Sequence, residues 1–377
     1  MKGIDMGAER RLTLRELNRA TLARQLLLER AEVPPLEAIE RIAGLQAQVP
    51  NPPYIGLWSR LGTFQRADLT ALMEAKQVVR ATMLRATLHL FSTRDFVALR
   101  PTLHPVITRM YAAYSGQRGK GLDVPKVVAA AEDFLRGTPR TFIEIRALME
   151  QIAPEHDPIA VSNYARAHLP IVQVPPGGTW GFGGEVRYAL PHDYIGQPVV
   201  IDGAGDVRGL LKRYLAAFGP ASLMDFQAWS GLTRMKEAVE AVKPELVRYQ
   251  TEEGKELLDL PDQPLPEGDT PAPVRFLPDY DNLILSHEDR RRVIADEHRS
   301  KVYLSAGRVR STVLIDGFVS GAWKIEKGKK SAALLIEPFI PLTDDDRARL
   351  IEEGERLLRF VEDKAESIDI RFVEASG

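Results

Sequence analysis

Over the first 260 residues, apolar side chains recur every three or four positions, and prolines and glycines interrupt the rhythm often enough to cut the chain into short helices. In residues 14–28, Leu17, Ala20, Thr21, Arg24 and Leu28 share one helical face. Leu36, Ile39, Ile42, Ala43 and Leu45 repeat that spacing. Pro50, Pro52 and Pro53 then lack backbone donors and push the residues before them out of the helical region, so this helix is expected to end near Gln48. Another helix is predicted over 67–76, entered through Gly62, Thr63 and Phe64. The period then changes, and residues 78–82 and 85–91 read as a strand pair. In the second strand Arg85, Thr87 and His89 alternate with Ala86, Leu88 and Leu90, which places the first three on one face and the others in the core.

Helices followed by a small antiparallel hairpin outline a winged helix, and a generic helix-turn-helix unit explains the order equally well. The order returns twice. Helices over 127–135, from Thr141 onward and over 159–168 lead to strands at 171–174 and 181–190, separated by Pro175, Pro176, Gly177 and Gly178. Helices over 211–218, 221–229 and 234–241 lead to strands at 246–250 and 257–260. Residues 262–273, with four prolines among acids, form a linker. Beyond it, short strands at 302–304, 311–315, 318–319, 322–325 and 332–336, covered by a helix over 344–362 and joined by a last strand at 369–373, predict a small barrel. The chain thus reads as α+β: three tandem winged-helix units at 1–120, 121–200 and 201–265, followed by a C-terminal β-barrel at 274–377.

Composition narrows the chemistry. A chain of 377 residues outgrows a single core, and 44% hydrophobic with 27% charged residues is a globular balance. No apolar run reaches membrane-span length, and residues 1–5 lack a secretory apolar core, so a cytoplasmic, nucleoid-associated location is expected. Without cysteine there are no disulfides, thiolate nucleophiles or cysteine-based zinc sites. The 7 histidines show no metal-ligand spacing, so neither metal nor cofactor is expected. A net charge of −2 requires any nucleic-acid footprint to be a local basic groove, because dedicated DNA binders are commonly basic overall.

Two neutral amides, Gln46 and Gln48, stand at the mouth of the proline-stiffened loop. On the residues alone they are polar groups at a helix end. Gln46-Ala47-Gln48 followed by Thr87-Leu88-His89, however, resembles the Gln-x-Gln and Thr-x-His motifs of the winged-helix DNA glycosylases, the AlkZ/YcaQ-like family that removes alkylated purines and unhooks interstrand crosslinks. Residues 277–287 with Asp289-Arg290, and residues 316–323, resemble further stretches of that family, in the expected order and over nearly the whole chain.

The resemblance implies a monofunctional glycosylase that hydrolyses the N-glycosidic bond of N7-alkylated purines, including bulky or crosslinked adducts, in DNA repair or genotoxin self-resistance. It would act as a monomer on double-stranded DNA. A glutamine amide takes no proton near neutral pH, so it suits a reaction that needs little base. An N7-alkylated guanine, already cationic, is such a leaving group. Gln48 is the amide expected nearest the water, with Gln46 supporting it or the sugar-phosphate. Keeping glutamine at position 48 resembles the crosslink-unhooking side of the family rather than its Gln-x-Asp side. By the same resemblance Thr87 and His89 close over the site. Arg85, Asn51, Tyr54 and, from the C-terminal unit, Asp279, Asp281 and Arg290 are expected in the same cleft. Lys327, Lys329 and Lys330 at a hairpin tip either reach phosphate or form a solvated basic turn. The alternative function is a non-catalytic winged-helix DNA-binding protein or transcriptional regulator. It would need a long basic recognition helix, of which Arg234-Met235-Lys236 offers only a start.

Overall fold

The computed structural model describes residues 10–201 and 205–374; residues 1–5, where no secretory core is expected, lie outside them. β1 (Arg11–Leu12) leads into α1 (Leu14–Arg24), which starts at a capping box of Thr13 and Glu16. One order of elements then occurs three times: helix, short strand, helix, helix, hairpin. The first round is α2 (Pro35–Arg41), β2 (Leu45–Gln46), α3 (Pro52–Arg60), α4 (Arg66–Glu74), β3 (Val78–Thr82) and β4 (Leu88–Ser92). The long α5 (Thr93–Ser115), capped by the Ser92 hydroxyl, connects it to the second. That round is α6 (Val124–Leu135), β5 (Arg140–Thr141), α7 (Phe142–Ile152), α8 (Pro158–His168), β6 (Val172–Val174) and β7 (Arg187–Ala189), and α9 (Pro191–Ile195) follows. The third is α10 (Val207–Phe218), an Ala221–Leu258 bridge in place of the short strand, α11 (Leu223–Ser230), α12 (Lys236–Glu240), β8 (Val247–Thr251) and β9 (Glu256–Asp259).

The first two rounds are fused. β3 pairs antiparallel with β6, Arg80 opposite Gln173, so their hairpins form one six-stranded sheet in the order β2-β4-β3-β6-β7-β5. The third round has its own sheet, β1-β8-β9, with β1 added in parallel. The C-terminal part consists of β10 (Arg275–Leu277), α13 (Arg299–Val302), β11 (Thr312–Ile315), β12 (Phe318–Lys327), β13 (Ser331–Pro338), α14 (Asp344–Val361) and β14 (Ser367–Phe372).

Several expectations need correction. The C-terminal strands form an open five-stranded sheet, β10-β11-β12-β13-β14, not a barrel, because β14 joins the edge parallel to β13 and α14 covers the face, leaving β10 and β14 as separate edges. α2 ends at Arg41 rather than near Gln48: Ala43 (φ 58°) and Gly44 (φ 79°) turn the chain out of the helix, and Leu45 and Gln46 pair with Leu90 and His89. Arg85 is not on a strand, since both it and Ala86 adopt positive φ in the turn before β4. Of the strand expected over 302–304, Val302 ends a short helix and only Tyr303 pairs, in a single bridge to Val309, and of the strand over 181–190 only Arg187–Ala189 pairs.

Buried polar ties lock the parts together. Arg24 of α1 makes a two-pronged ion pair with Asp259, 2.7 Å at each prong, and Gln25 donates to the Ala217 carbonyl. Arg60 at the end of α3 pairs in the same way with Asp281, at 2.8 Å twice, both side chains fully buried. Such pairs specify one arrangement, because removing either partner strands a charge in a dry interior. The Asn282 amide donates to the Gly44 carbonyl at 2.6 Å, so the C-terminal part holds the turn that leads into β2.

Candidate active site

Everything around Gln46 and Gln48 follows from how this loop is braced. A Cβ at Gly44 would lie 2.7 Å from the Phe91 ring, so only glycine gives both the left-handed turn and the close packing. Beyond it, Gln46 lies opposite His89 in register, and the Ala47 amide donates to the Leu88 carbonyl at 2.8 Å. Ala47 is fully buried. Its carbonyl accepts a bond from Arg80 Nε at 2.9 Å and a second from the same guanidinium, so the small residue between the glutamines is where the loop is clamped. Burial lowers the Arg80 guanidinium to about 10, which still leaves it charged. The chain then surfaces: Gln48 and Val49 are exposed, and Asn51 Oδ1 accepts the Gly181 amide at 2.8 Å.

The two amides have different surroundings. Gln46 is 8% exposed, and its Oε1 accepts a bond from Arg85 Nη2 at 3.1 Å. A guanidinium only donates, so Gln46 turns its oxygen to Arg85 and keeps its NH2 group for something else. Arg85 is anchored in turn by a 2.6 Å bond to the Trp229 carbonyl on α11. Burial, with the Arg290 charge adding to it, lowers Arg85 to about 10.

His89 is fully buried behind Gln46. Its Nδ1 lies 3.0 Å from the Thr87 carbonyl and therefore carries the proton, while Nε2 has no partner among the described residues. Burial, then the neighbouring Arg85 charge, lowers it to about 3, so it is neutral at physiological pH. Thr87 is half-buried and donates to the Leu84 carbonyl.

Not every expected residue gathers here. Tyr54 is fully buried, its hydroxyl 2.9 Å from that of Thr70, and it supports the loop from inside. Asp281 lies in the buried pair with Arg60. Lys327 and Lys330 are exposed but already paired, with Glu362 at 2.5 Å and Glu366 at 2.6 Å, while Lys329 has no ion partner among the described residues. Sequence reasoning missed Arg80, Trp229 and Asn282. Only Arg80 left a signal, a lone cation inside the apolar run of β3. An open groove of about 430 Å³ adjoins the loop between Val49, Ile55, Phe182, Asp279, Trp323 and Lys324. Among the described residues no cluster of histidines and carboxylates could hold a metal, and no helix is long and apolar enough to cross a membrane.

Comparison with known proteins agrees with this architecture. The family model described as DNA glycosylase AlkZ-like matches residues 39–360. An interstrand DNA cross-link repair glycosylase from Streptomyces sahachiroi is 22% identical over 353 residues, covering 84% of this chain and 88% of that protein. The solved structure of Streptomyces sahachiroi DNA glycosylase AlkZ superposes with a TM-score of 0.76, over 96% of this chain and 100% of the other. At 19% identity that likeness is one of fold.

Proposed function

Because the chain belongs to the AlkZ-like DNA glycosylase family, we propose that it is a monofunctional glycosylase for N7-alkylated purines, bulky and interstrand-crosslinked adducts included. Gln46 and Gln48 are the working amides. The observation that carries this reading is the bond from Arg85 to Gln46, which fixes a buried amide beside an exposed one on a loop with no acid between Glu40 and Asp68 and no lysine. A site built from amides positions; it does not take protons. That suits a leaving group carrying its own positive charge.

In the proposed reaction a water held by the Gln48 carbonyl oxygen attacks C1′ of the sugar. The C1′–N9 bond breaks, and its electron pair goes to the purine, whose ring positive charge is neutralised as it leaves. The proton released by the water passes to solvent. No lysine lies on the loop, and Lys324 of the adjoining groove is held as an ammonium against Glu326, so no free amine traps the sugar and the strand is not nicked. The Gln46 NH2 group steadies the sugar-phosphate or the water. The groove beyond Val49 has room for the bulk of an adduct. We read the three repeated helical units, 1–120, 121–200 and 201–265, as winged helices that present this loop to a duplex, with 274–377 as a C-terminal part. The protein would act as a monomer.

Single-turnover release of 7-methylguanine from a defined duplex tests the reading, with a crosslinked duplex in parallel. Gln48→Ala should release base about two orders of magnitude more slowly, the scale of a misplaced reactant, and still bind DNA. Equal release by both proteins would remove Gln48 from the chemistry. No release by the wild type from either substrate would favour a DNA-binding protein without catalysis.

A further inference from the structure

We propose that Arg109, Arg234 and Lys236, continuing outward from Arg85 and Arg290, form the track that holds the duplex phosphates beside the glutamine loop; this rests on the DNA reading above. The first observation is where the acids are absent. The chain has 52 acids, yet between Glu74 and Asp123 there is only Asp95, which Arg213 and Arg94 neutralise. The segment from Gln227 to Lys236 has none.

The fold brings these two acid-poor segments together at the site. Arg85 donates to the Trp229 carbonyl. Arg109 of α5 donates to the Gly231 carbonyl at 2.7 Å and to the Thr233 hydroxyl at 3.3 Å. The contacts therefore run from Gln46 through Arg85 to Trp229 and from Arg109 to the turn after α11, where Arg234 and then Lys236 follow in the chain. Arg109, Arg234 and Lys236 are exposed, and none of the five cations forms an ion pair among the described residues. Lys327 and Lys330 of the C-terminal turn are the opposite case, each being already neutralised by a glutamate.

Arg85, Ala86 and Arg234 all adopt positive φ, at 52°, 56° and 60°, so these two cations are carried on tight turns of the backbone. Arg85 also lies beside the place where a cationic sugar would form, and a guanidinium there opposes the reaction unless it faces a negative charge. A phosphate next to the damaged nucleotide supplies that charge, and the remaining cations extend the line along the backbone.

The test is the salt dependence of affinity for an undamaged duplex, read by fluorescence anisotropy. Removing one cation that neutralises a phosphate lowers the slope of log affinity against log salt by about 0.9. Arg109→Ser/Arg234→Ser/Lys236→Ser should therefore reduce the slope by about two to three units, and Lys327→Ser/Lys330→Ser by less than one. Arg234→Gly with Lys236→Ser is the companion variant, because glycine relieves the positive φ and a reduction of about two units there does not come from unfolding. Equal slopes for wild type and triple variant, or a larger reduction in the Lys327/Lys330 variant, would overturn the track. Absence of duplex binding by the wild type at low salt would overturn both the track and the DNA reading, whereas binding without base release would overturn only the catalytic one.

Discussion

Gln46 is oriented by a neighbour that can only donate, and His89 is kept neutral by burial and by the same neighbour's charge, so no group in direct contact with Gln46 exchanges a proton near neutral pH. Two pH effects follow. The single-turnover rate should be flat between about pH 6 and 8; a bell or a step near 6.5, the ordinary histidine value, would mean that a histidine works in the reaction after all. Stability should behave differently. In the unfolded chain His89 takes up a proton below its ordinary 6.5, which the folded protein refuses until about 3. The folded state is therefore unpenalised above 6.5 and loses about 1.4 kcal/mol per pH unit as pH falls through that window. His287, also lowered to about 3 by burial, adds in the same direction. Urea melts at pH 7.5 and 5.5 would measure the loss; equal midpoints would refute it.

At the scale of elements, the glutamine loop is a strand end gripped from the side rather than the tail of a helix. Arg80 is the grip, and Arg80→Met should leave the Ala47 carbonyl buried without a partner, a penalty of about 1–3 kcal/mol. The variant should melt earlier and release base more slowly while duplex affinity holds; an unchanged rate would mean that the clamp does not position the amides. The same loop marks what could be read from the sequence. Its prolines and flanking apolar runs located it, and their period identified the helices on either side. What periodicity could not register was a two-residue strand, whose only cause is pairing with residues more than forty positions away. Nor could it separate a barrel from an open sheet, since closure depends on which edges meet and not on what each strand contains. Arg85 read as a strand residue because alternation is blind to a pair of positive φ angles.

On the scale of the whole molecule, a net charge of −2 hides a division of labour. Acid-poor segments surround the glutamines, and acids crowd α14, which begins with Asp344, Asp345 and Asp346. If the cations near the glutamines meet phosphate, as proposed above, this local balance and not the net charge sets the pull on a duplex. The site is also where every part of the chain meets. Arg80 and Arg85 come from the first repeat and Gly181 from the second, Trp229 belongs to the third, and Asn282 to the C-terminal part. A fragment of residues 1–200 retains the complete six-stranded sheet but lacks the last two braces. It also loses Asp259 and Asp281, the partners of buried Arg24 and Arg60, so it should be less stable than the full chain and release no base; full activity from it would mean the later parts are dispensable.

The seam between β3 and β6 has one more consequence. A Cβ on Gly178 would lie 2.7 Å from Arg80, so the clamp on the first repeat's loop is packed under a turn of the second. The glutamine motif is therefore not a portable cassette. Transplanted onto another helix-hairpin scaffold it would keep its letters and lose its grip, and duplicating the first repeat alone would not duplicate the enzyme.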